Sequence, residues 1–316
     1  MSVIAIDLGG TKIAGALFDD RGNKLFHNKA FLEGRGGEEV GKLIVGLVQE
    51  ILAIAAEKQQ PVEGLGVCVP GIASSKTHCV WAPNIPGWEH FPLKERLQAV
   101  LPASVRVCVE SDRTCHILGE LWQGAAQNCQ NAVFVAVGTG IGMGLLIDGH
   151  IVHGQSDIVG ASGWMALEPP YLSEYDACGC FESSASGQGL GARAREMLQN
   201  DASYQGPLRE KPLEEISAYD VFAHYDAGDP IARAVLHKAI TYWGMAAANI
   251  VSLLNPEMVV WGGGLFGPAC RFIDDIYAEA LKWAQPISIR QTRFVATQVE
   301  EAGLVGAAYL AMGFEK

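Results

Sequence analysis

The 316-residue chain has no lysine- or arginine-rich run: 23 Lys and Arg stand against 35 Asp and Glu, a formal net charge of −12. Nucleic-acid binding needs clustered cations, so no nucleic-acid partner is expected. Also missing is any stretch of about 18 uninterrupted apolar residues. The first residues, Met1 to Ile6, read as a strand without a basic segment ahead of it. Neither a membrane span nor a signal peptide is expected. A disulfide framework is lacking as well. The eight cysteines are scattered at Cys68, Cys79, Cys108, Cys115, Cys129, Cys178, Cys180 and Cys270, and Cys68 and Cys108 lie in apolar strand-like runs. That pattern suits reduced, buried thiols. With 49% hydrophobic residues, a chain of this length can bury one large core or two domains. The expectation is a soluble cytoplasmic globule.

What the chain does have is glycine at the ends of apolar strands. Val3-Ile4-Ala5-Ile6 ends in Asp7, then Leu8-Gly9-Gly10-Thr11-Lys12 leads into a second apolar run, Ile13 to Phe18, closed by Asp19 to Asn23. Two apolar runs joined by a Gly-Gly turn predict a β-hairpin. Such a turn lets backbone N–H groups converge on an anion, and Thr11 and Lys12 add a hydroxyl and a charge. Asp7 is placed to hold a hydrated Mg²⁺ beside a polyphosphate. An ordinary tight hairpin with solvated charges is the alternative for this stretch taken alone. The design recurs, however: Phe134 to Val137 runs into Gly138-Thr139-Gly140, then Ile141 to Ile147 and an Asp148-Gly149 turn. Met258 to Trp261 leads into a third glycine turn, Gly262-Gly263-Gly264.

These three turns resemble those of the superfamily that joins sugar kinases, actin and heat-shock chaperone ATPases. In detail the chain is similar to the ROK family (repressors, open reading frames, kinases) of bacterial sugar kinases, from Asp7-Leu8-Gly9-Gly10-Thr11-Lys12 through to Gly303-Leu304-Val305-Gly306-Ala307-Ala308. The resemblance implies an α/β fold, a two-domain actin-like ATPase (ribonuclease-H-like) with a cleft between domains. The division expected is 1–115 plus a C-terminal helix 303–316 against 116–302. ATP and Mg²⁺ are the implied cofactors, with Gly9, Gly10, Thr11, Lys12, Gly138, Thr139 and Gly140 at the phosphates and Gly262, Gly263 and Gly264 at the adenosine. A homodimer is implied too. ROK repressors carry a helix-turn-helix domain ahead of this motif, and with Asp7 so near the first residue none is expected here.

The acceptor side follows the same order. Gly64 to Val69 is a buried-strand run ended by Pro70-Gly71, and a long amphipathic helix from about Glu38 to Gln59 precedes it, so strand, helix and strand predict a parallel crossover. The loop Trp81-Ala82-Pro83-Asn84-Ile85-Pro86-Gly87-Trp88 is either a rigid surface turn or, as the resemblance implies, a sugar-pocket loop in which Asn84 bonds ring hydroxyls and Trp88 packs. Gly71 belongs to the same implied pocket. Val105 to Val109 delivers Glu110-Ser111-Asp112-Arg113 at a strand end, before a helix from about Thr114 to Ala126. Asp112 is either the cap of that helix or a general base facing a cleft. The resemblance favours the base, which takes the proton from a sugar hydroxyl. Ser111 then stands where the family has a sugar-contacting Asn, and Arg113 where it has a small residue.

The stretch His153 to Trp164 departs furthest from the family. Its pattern ends in Gly-Glu-x-Gly-His, with the Glu and His at the sugar and the His also a zinc ligand; here Ala161 and Trp164 fill those places. Ser173 and Tyr175 stand where two cysteines of the zinc motif belong, and Cys178 and Cys180 alone cannot supply about four ligands, so no structural zinc is expected. Glu182 matches a sugar-contacting Glu, or else is a carboxylate at the start of a helix beginning near Ser183. Trp164 makes the pocket wall more apolar and offers a stacking surface for a substituted sugar. The implied activity is an ATP-dependent carbohydrate kinase; the alternatives are a non-catalytic sugar sensor on the same fold and, more distantly, a chaperone-type ATPase.

Overall fold

The computed structural model describes residues 1–313. The chain opens with β1 (Ser2–Leu8), β2 (Lys12–Asp19) and β3 (Lys24–Phe31), then α1 (Gly37–Glu57), β4 (Val62–Val69), the short β5 (Ile72–Ala73) and β6 (Val80–Trp81), α2 (Leu93–Gln98), β7 (Arg106–Ser111) and α3 (Asp112–Gln123). There follow β8 (Ala132–Val137), β9 (Ile141–Ile147), β10 (His150–Ile151), α4 (Cys180–Ala185), α5 (Gly187–Asn200), α6 (Ala218–Tyr225) and α7 (Pro230–Leu254). The last elements are β11 (Met258–Gly262), α8 (Phe266–Ala269), α9 (Ile273–Trp283), α10 (Pro286–Ile289), β12 (Arg293–Ala296) and α11 (Ala302–Ala311). They form two compact units: residues 1–129, 144–159 and 297–316, and residues 130–143 and 160–296. The first unit thus reaches Cys129, beyond the expected boundary at 115, because that boundary would cut α3. The final positions of the expected segment 303–316, from 314 on, lie outside the described residues.

The sheet of the first unit has the order β3-β2-β1-β4-β7. β1 and β2 form the predicted hairpin, while β1, β4 and β7 run parallel. Side chains alternate across a strand, so each strand sends one set to either face. Ile4, Ile6 and Leu8 join Leu65, Val67 and Val69 under α1, where Ile44, Leu47, Val48 and Ile51 complete the core. Val3 and Ala5 point the other way, with Cys68 and Cys115, toward Leu304, Ala307 and Ala311 of α11. The same alternation puts Asp7 on that second face.

On this face β4 is stripped to Gly64, Gly66 and Cys68. A Cβ at Gly64 would lie 2.3 Å from the carbonyl oxygen of Ala311, and one at Gly66 would lie 1.9 Å from that of Ala307. One turn further along α11, a Cβ on Gly303 would lie 3.1 Å from the Cys68 sulfur. Two strand residues advance about 6.6 Å and four helix residues about 6 Å, so positions 64, 66 and 68 pair with 311, 307 and 303 in step. The small residues let the helix backbone lie directly on the strand.

In the second sheet the order is β10-β9-β8-β11-β12, with β8, β11 and β12 parallel. β11 is buried along its whole length; Trp261 stacks on Phe266 at 4.9 Å, and the Trp243 indole N–H donates to the Ala185 carbonyl at 3.1 Å. α7 starts where Asp229 caps it and Pro230 sets its first turn, and ends at Asn255 in the left-handed region. Two local expectations change. α3 begins at Asp112, before Thr114, because the Ser111 hydroxyl accepts from the Thr114 amide and is the cap. The helix expected to begin near Ser183 is instead the end of α4, and Ser186 caps a new helix, α5, by accepting from Gly189 N at 3.0 Å.

Candidate functional site

In a sheet of parallel strands, ligands bind beyond the C-terminal strand ends. In the first unit those ends carry Asp7 on β1, Pro70-Gly71 after β4, and Ser111-Asp112 at β7. Register aligns them: Asp7 pairs with Cys68, and Cys68 with Glu110. Burial raises the pKa of the Asp7 carboxyl, opposed by the nearby His116 and by the Cys68 thiol that donates to it, while the charge of Asp112 raises it further. A Cβ on Gly303 would stand 3.1 Å from Asp7 Oδ2. The structure therefore gathers Asp7, Asp112, Cys68 and His116 beneath the start of α11.

Asp112 is the first residue of α3 and half-buried, and its Oδ1 accepts from the Arg113 amide at 2.8 Å. The cap that sequence alone offered for it belongs to Ser111. Ser111 is 6% exposed, and its hydroxyl is engaged with Thr114. Arg113 acts as a brace: its guanidinium donates to the carbonyls of Ile158 at 3.2 Å, Val159 at 3.1 Å and Gly71 at 3.3 Å. Gly71 sits at φ +121°, where a Cβ would meet the Trp81 carbonyl oxygen at 2.2 Å, so only glycine fits. Glu110 accepts from the Ser111 amide and lies 3.0 Å from His153 Nε2.

The proline loop presents Asn84 outward between two buried anchors, Ala82 and Ile85. Trp88 stacks on Phe91 at 4.2 Å and donates to the Gly37 carbonyl at 3.0 Å, which is the packing role expected of it. A Cβ on Gly10 would approach Asn84 Cβ at 3.6 Å, so the first glycine turn and this loop are neighbours. Within that turn the Gly9 amide donates to the Lys12 carbonyl at 2.9 Å, and Gly10, Thr11 and Lys12 are exposed.

The second unit holds a cavity of about 740 Å³ whose lining includes Gly138, Thr139, Glu182, Gly187, Gly264 and Phe222. Gly138 and Thr139 accept from the Gly187 and Gln188 amides at 2.8 and 3.4 Å, which fixes the hairpin against the N-terminus of α5. Glu182 Oε2 accepts from the Ile141 amide at 2.5 Å, and a Cβ on Gly140 would lie 2.6 Å from that oxygen. Glu182 is thus built into the hairpin; burial raises its pKa against the lowering effect of the Ile141 amide. Gly262 is the last residue of β11, Gly263 turns at φ +89°, and Gly264 lies open on the cavity. Sequence reading missed the Ser186-Gly187-Gln188-Gly189 start of α5 and the Ile216 to Phe222 wall. The serine followed by glycines was the available signal.

Trp164 lines another cavity. Tyr175, in a position expected of a zinc-binding cysteine, is buried and hydrogen-bonded with Cys180, and burial with this neighbour pushes its pKa up to about 12. Among the described residues no helix is long and apolar enough to cross a membrane.

A glycine-hairpin sheet repeated in each of two α/β units, with carboxylates at the parallel strand ends of the first, defines the actin-like ATPase fold. The chain belongs to the ROK family, whose model matches residues 3–313. It is similar to a glucokinase of Halalkalibacterium halodurans, 29% identical over 316 residues, covering 97% of this chain and 94% of that protein. A beta-glucoside kinase of Listeria monocytogenes is 29% identical over 311 residues, covering 98% and 97%. Among solved structures, a ROK family glucokinase from Streptomyces griseus in complex with glucose and AMPPNP matches with a TM-score of 0.78 at 27% identity, covering 99% of this chain and 100% of that one.

Proposed function

We propose that the protein is an ATP-dependent sugar kinase that transfers the γ-phosphoryl group to a primary hydroxyl of a hexose or hexose derivative. The observation that carries this reading is the pair Asp7 and Asp112, close enough that the charge of one raises the pKa of the other, at aligned ends of parallel strands. Asp112 is the general base: it takes the hydroxyl proton as the oxygen attacks phosphorus and the ADP oxygen leaves. Asn84 and Gly71 serve the sugar in this reading, and Glu182, whose Oε1 is not engaged with Ile141, and Trp164 are its further sugar contacts. Ser111 acts through the cap that fixes Asp112 at the helix start.

Gly9, Gly10, Thr11 and Lys12 offer amide, hydroxyl and ammonium donors to phosphate, as do Gly138, Thr139 and Gly140, with Gly262, Gly263 and Gly264 toward the adenosine. Asp7 would hold Mg²⁺ through water. The residues fit the ion: carboxylate oxygens are its preferred donors, and a cation would offset the burial that raises the Asp7 pKa. Bound there, Mg²⁺ supplies neutralisation of the polyphosphate charge. We further place the protein in the cytoplasm, as a homodimer that engages neither nucleic acid nor membrane. The net charge of −12 and the scattered cysteines, which suit reduced thiols, support the first and last points. The exposed apolar side chains Leu253, Trp283 and Ile287 on neighbouring helices of the second unit support self-association.

The test is a coupled assay of ADP release with Mg²⁺ and ATP across hexoses, N-acetylhexosamines and glucosides. Sugar-dependent ADP release with a phosphorylated product is the expected result. Nucleotide binding without transfer to any sugar would turn the reading to a sensor.

A further inference from the structure

Glu120, toward the end of α3, is fully buried. A carboxylate is costly to take out of water and is kept inside a protein only with its oxygens hydrogen-bonded. Here Oε2 accepts from the Ala125 amide at 2.8 Å. Oε1 accepts from the Thr297 hydroxyl and from the amides of Gln298 at 3.2 Å and Val299 at 3.4 Å. One side chain thus holds two stretches that lie far apart in the sequence. They converge closely: a Cβ on Gly124 would lie 2.1 Å from Glu120 Oε2 and 2.7 Å from Val299 Cγ2.

The chain passes from one unit to the other after residues 129, 143, 159 and 296. Ala125 comes shortly before the first of these passages and Thr297 directly after the last. The middle two are held at the opposite end of α3. There the Arg113 guanidinium donates to the Ile158 and Val159 carbonyls, and a Cβ on Gly144 would lie 2.1 Å from the Arg113 carbonyl oxygen. All of these passages are anchored on the helix whose first residue is Asp112.

A carboxylate can hold two stretches at once because both of its oxygens accept and neither donates. Glutamine has one acceptor oxygen and an NH2 group, so it can serve one stretch and must face the other donor to donor.

We propose that Glu120 is a positioning residue, the pin that fixes two of the connections between the units to α3 and thereby couples sugar binding beside Asp112 to nucleotide affinity. With the anchors fixed, any bend falls on the few residues past them, at the ends of elements where hinges commonly lie. The proposal rests on the sugar-kinase reading and adds to it the residue through which the two substrates sense each other.

Calorimetric titration of the full chain with AMPPNP and Mg²⁺, with and without saturating sugar, tests it in the parent, Glu120→Gln, Thr297→Val and Thr297→Ser. Glucose, N-acetylglucosamine and phenyl β-glucoside are the sugars used. In the parent, sugar should tighten AMPPNP binding by a factor within the roughly 5–150-fold range of coupled sites. Glu120→Gln should bring that factor close to one while each ligand alone keeps its affinity. A merely structural defect lowers the competent fraction, which weakens both ligands alike and leaves the factor intact. Thr297→Val removes one donor and should lower the factor in part; Thr297→Ser keeps the hydroxyl and should preserve it. An undiminished factor in Glu120→Gln, or in Thr297→Val where Glu120→Gln does not fold, overturns the proposal. So does the absence of coupling in the parent with all three sugars. Binding is read without turnover, so the two readings fail separately. Phosphoryl transfer with a factor that the variants leave unchanged removes the Glu120 proposal alone; coupling lost as expected, without transfer to any sugar in the parent, removes the kinase reading.

Discussion

Replacing Gly66 with alanine would press a methyl group into the backbone of α11. The added Cβ would stand 1.9 Å from the Ala307 carbonyl oxygen and 2.7 Å from its carbon. Ordinary contact begins near 3.4 Å, so the helix must retreat by about 1.5 Å, and a backbone cannot swing aside as a side chain can. Overpacking of this kind costs roughly 1–3 kcal/mol, and the upper end applies because the obstacle is main chain. Alanine also restricts the unfolded chain, which returns about 0.5 kcal/mol. The net expectation is a loss of about 2 kcal/mol, a fall in Tm of roughly 4–8 °C for units of this size. Gly46 is the internal control: it lies within α1 and a Cβ there meets nothing within 4 Å. Gly46→Ala should gain about 0.5–1 kcal/mol from helix propensity. Urea unfolding of both variants beside the parent decides the matter. Because Gly303 rides on the same helix face as Ala307, Gly66→Ala should also weaken Mg²⁺-dependent nucleotide binding at Asp7. Equal stability of the two alanine variants would refute the strand-to-helix fit.

Other perturbations separate the roles assigned to neighbouring residues. Glu182→Gln keeps an acceptor for the Ile141 amide but removes its charge; charge-assisted bonds are about twice as strong as neutral ones. The KM for ATP should rise about fivefold, the equivalent of about 1 kcal/mol, and an unchanged value would remove Glu182 from the hairpin. Asn84→Ala should raise the sugar KM about tenfold, as loss of a ring-hydroxyl bond does, with nucleotide affinity held; a shift in nucleotide affinity alone would misplace the loop. Glu301 accepts from Lys24 at 2.8 Å and Lys29 at 2.7 Å, and burial notwithstanding, these donors lower its pKa to about 2. A depressed folded pKa gives stability that is complete above the ordinary carboxylate pKa near 4.5 and lost as pH falls toward 2. The lysine partners are well exposed, so screening limits the effect to about 1 kcal/mol. Glu301→Gln should flatten the acid limb of stability against pH by that amount; an identical limb would contradict the pairing.

How much of this was legible in the sequence depended on whether a pattern is local. Glycine turns between apolar runs are local, so both hairpins and the Asp7 position follow from the chain alone. β4 shows the limit. Gly64 to Val69 reads as one apolar run, yet one face is packed under α1 and the other is pared down for α11, whose partner residues lie far along the chain. Ser111 and Asp112 show it again. Both residue types cap helices, and only the hydrogen bond from Thr114 assigns the cap to Ser111 and leaves Asp112 at the strand end. Ser183 to Ser186 looked like the beginning of a helix because small polar residues suit either end; the break at Ser186 comes from its bond to Gly189. Glu182 reads from the chain as a sugar ligand or a helix-start carboxylate, and it does lie in the first turn of α4; its bond to the Ile141 amide spans a distance that local periodicity does not encode.

The central claim is that Asp112 removes the acceptor proton. Single-turnover phosphoryl transfer by Asp112→Asn, with nucleotide affinity measured on the same preparation, tests it most directly. The account predicts a fall of roughly 10²–10⁴-fold in the transfer rate with ATP affinity within about twofold of the parent, since the base makes no bond that nucleotide binding needs. A transfer rate within tenfold of the parent would contradict it.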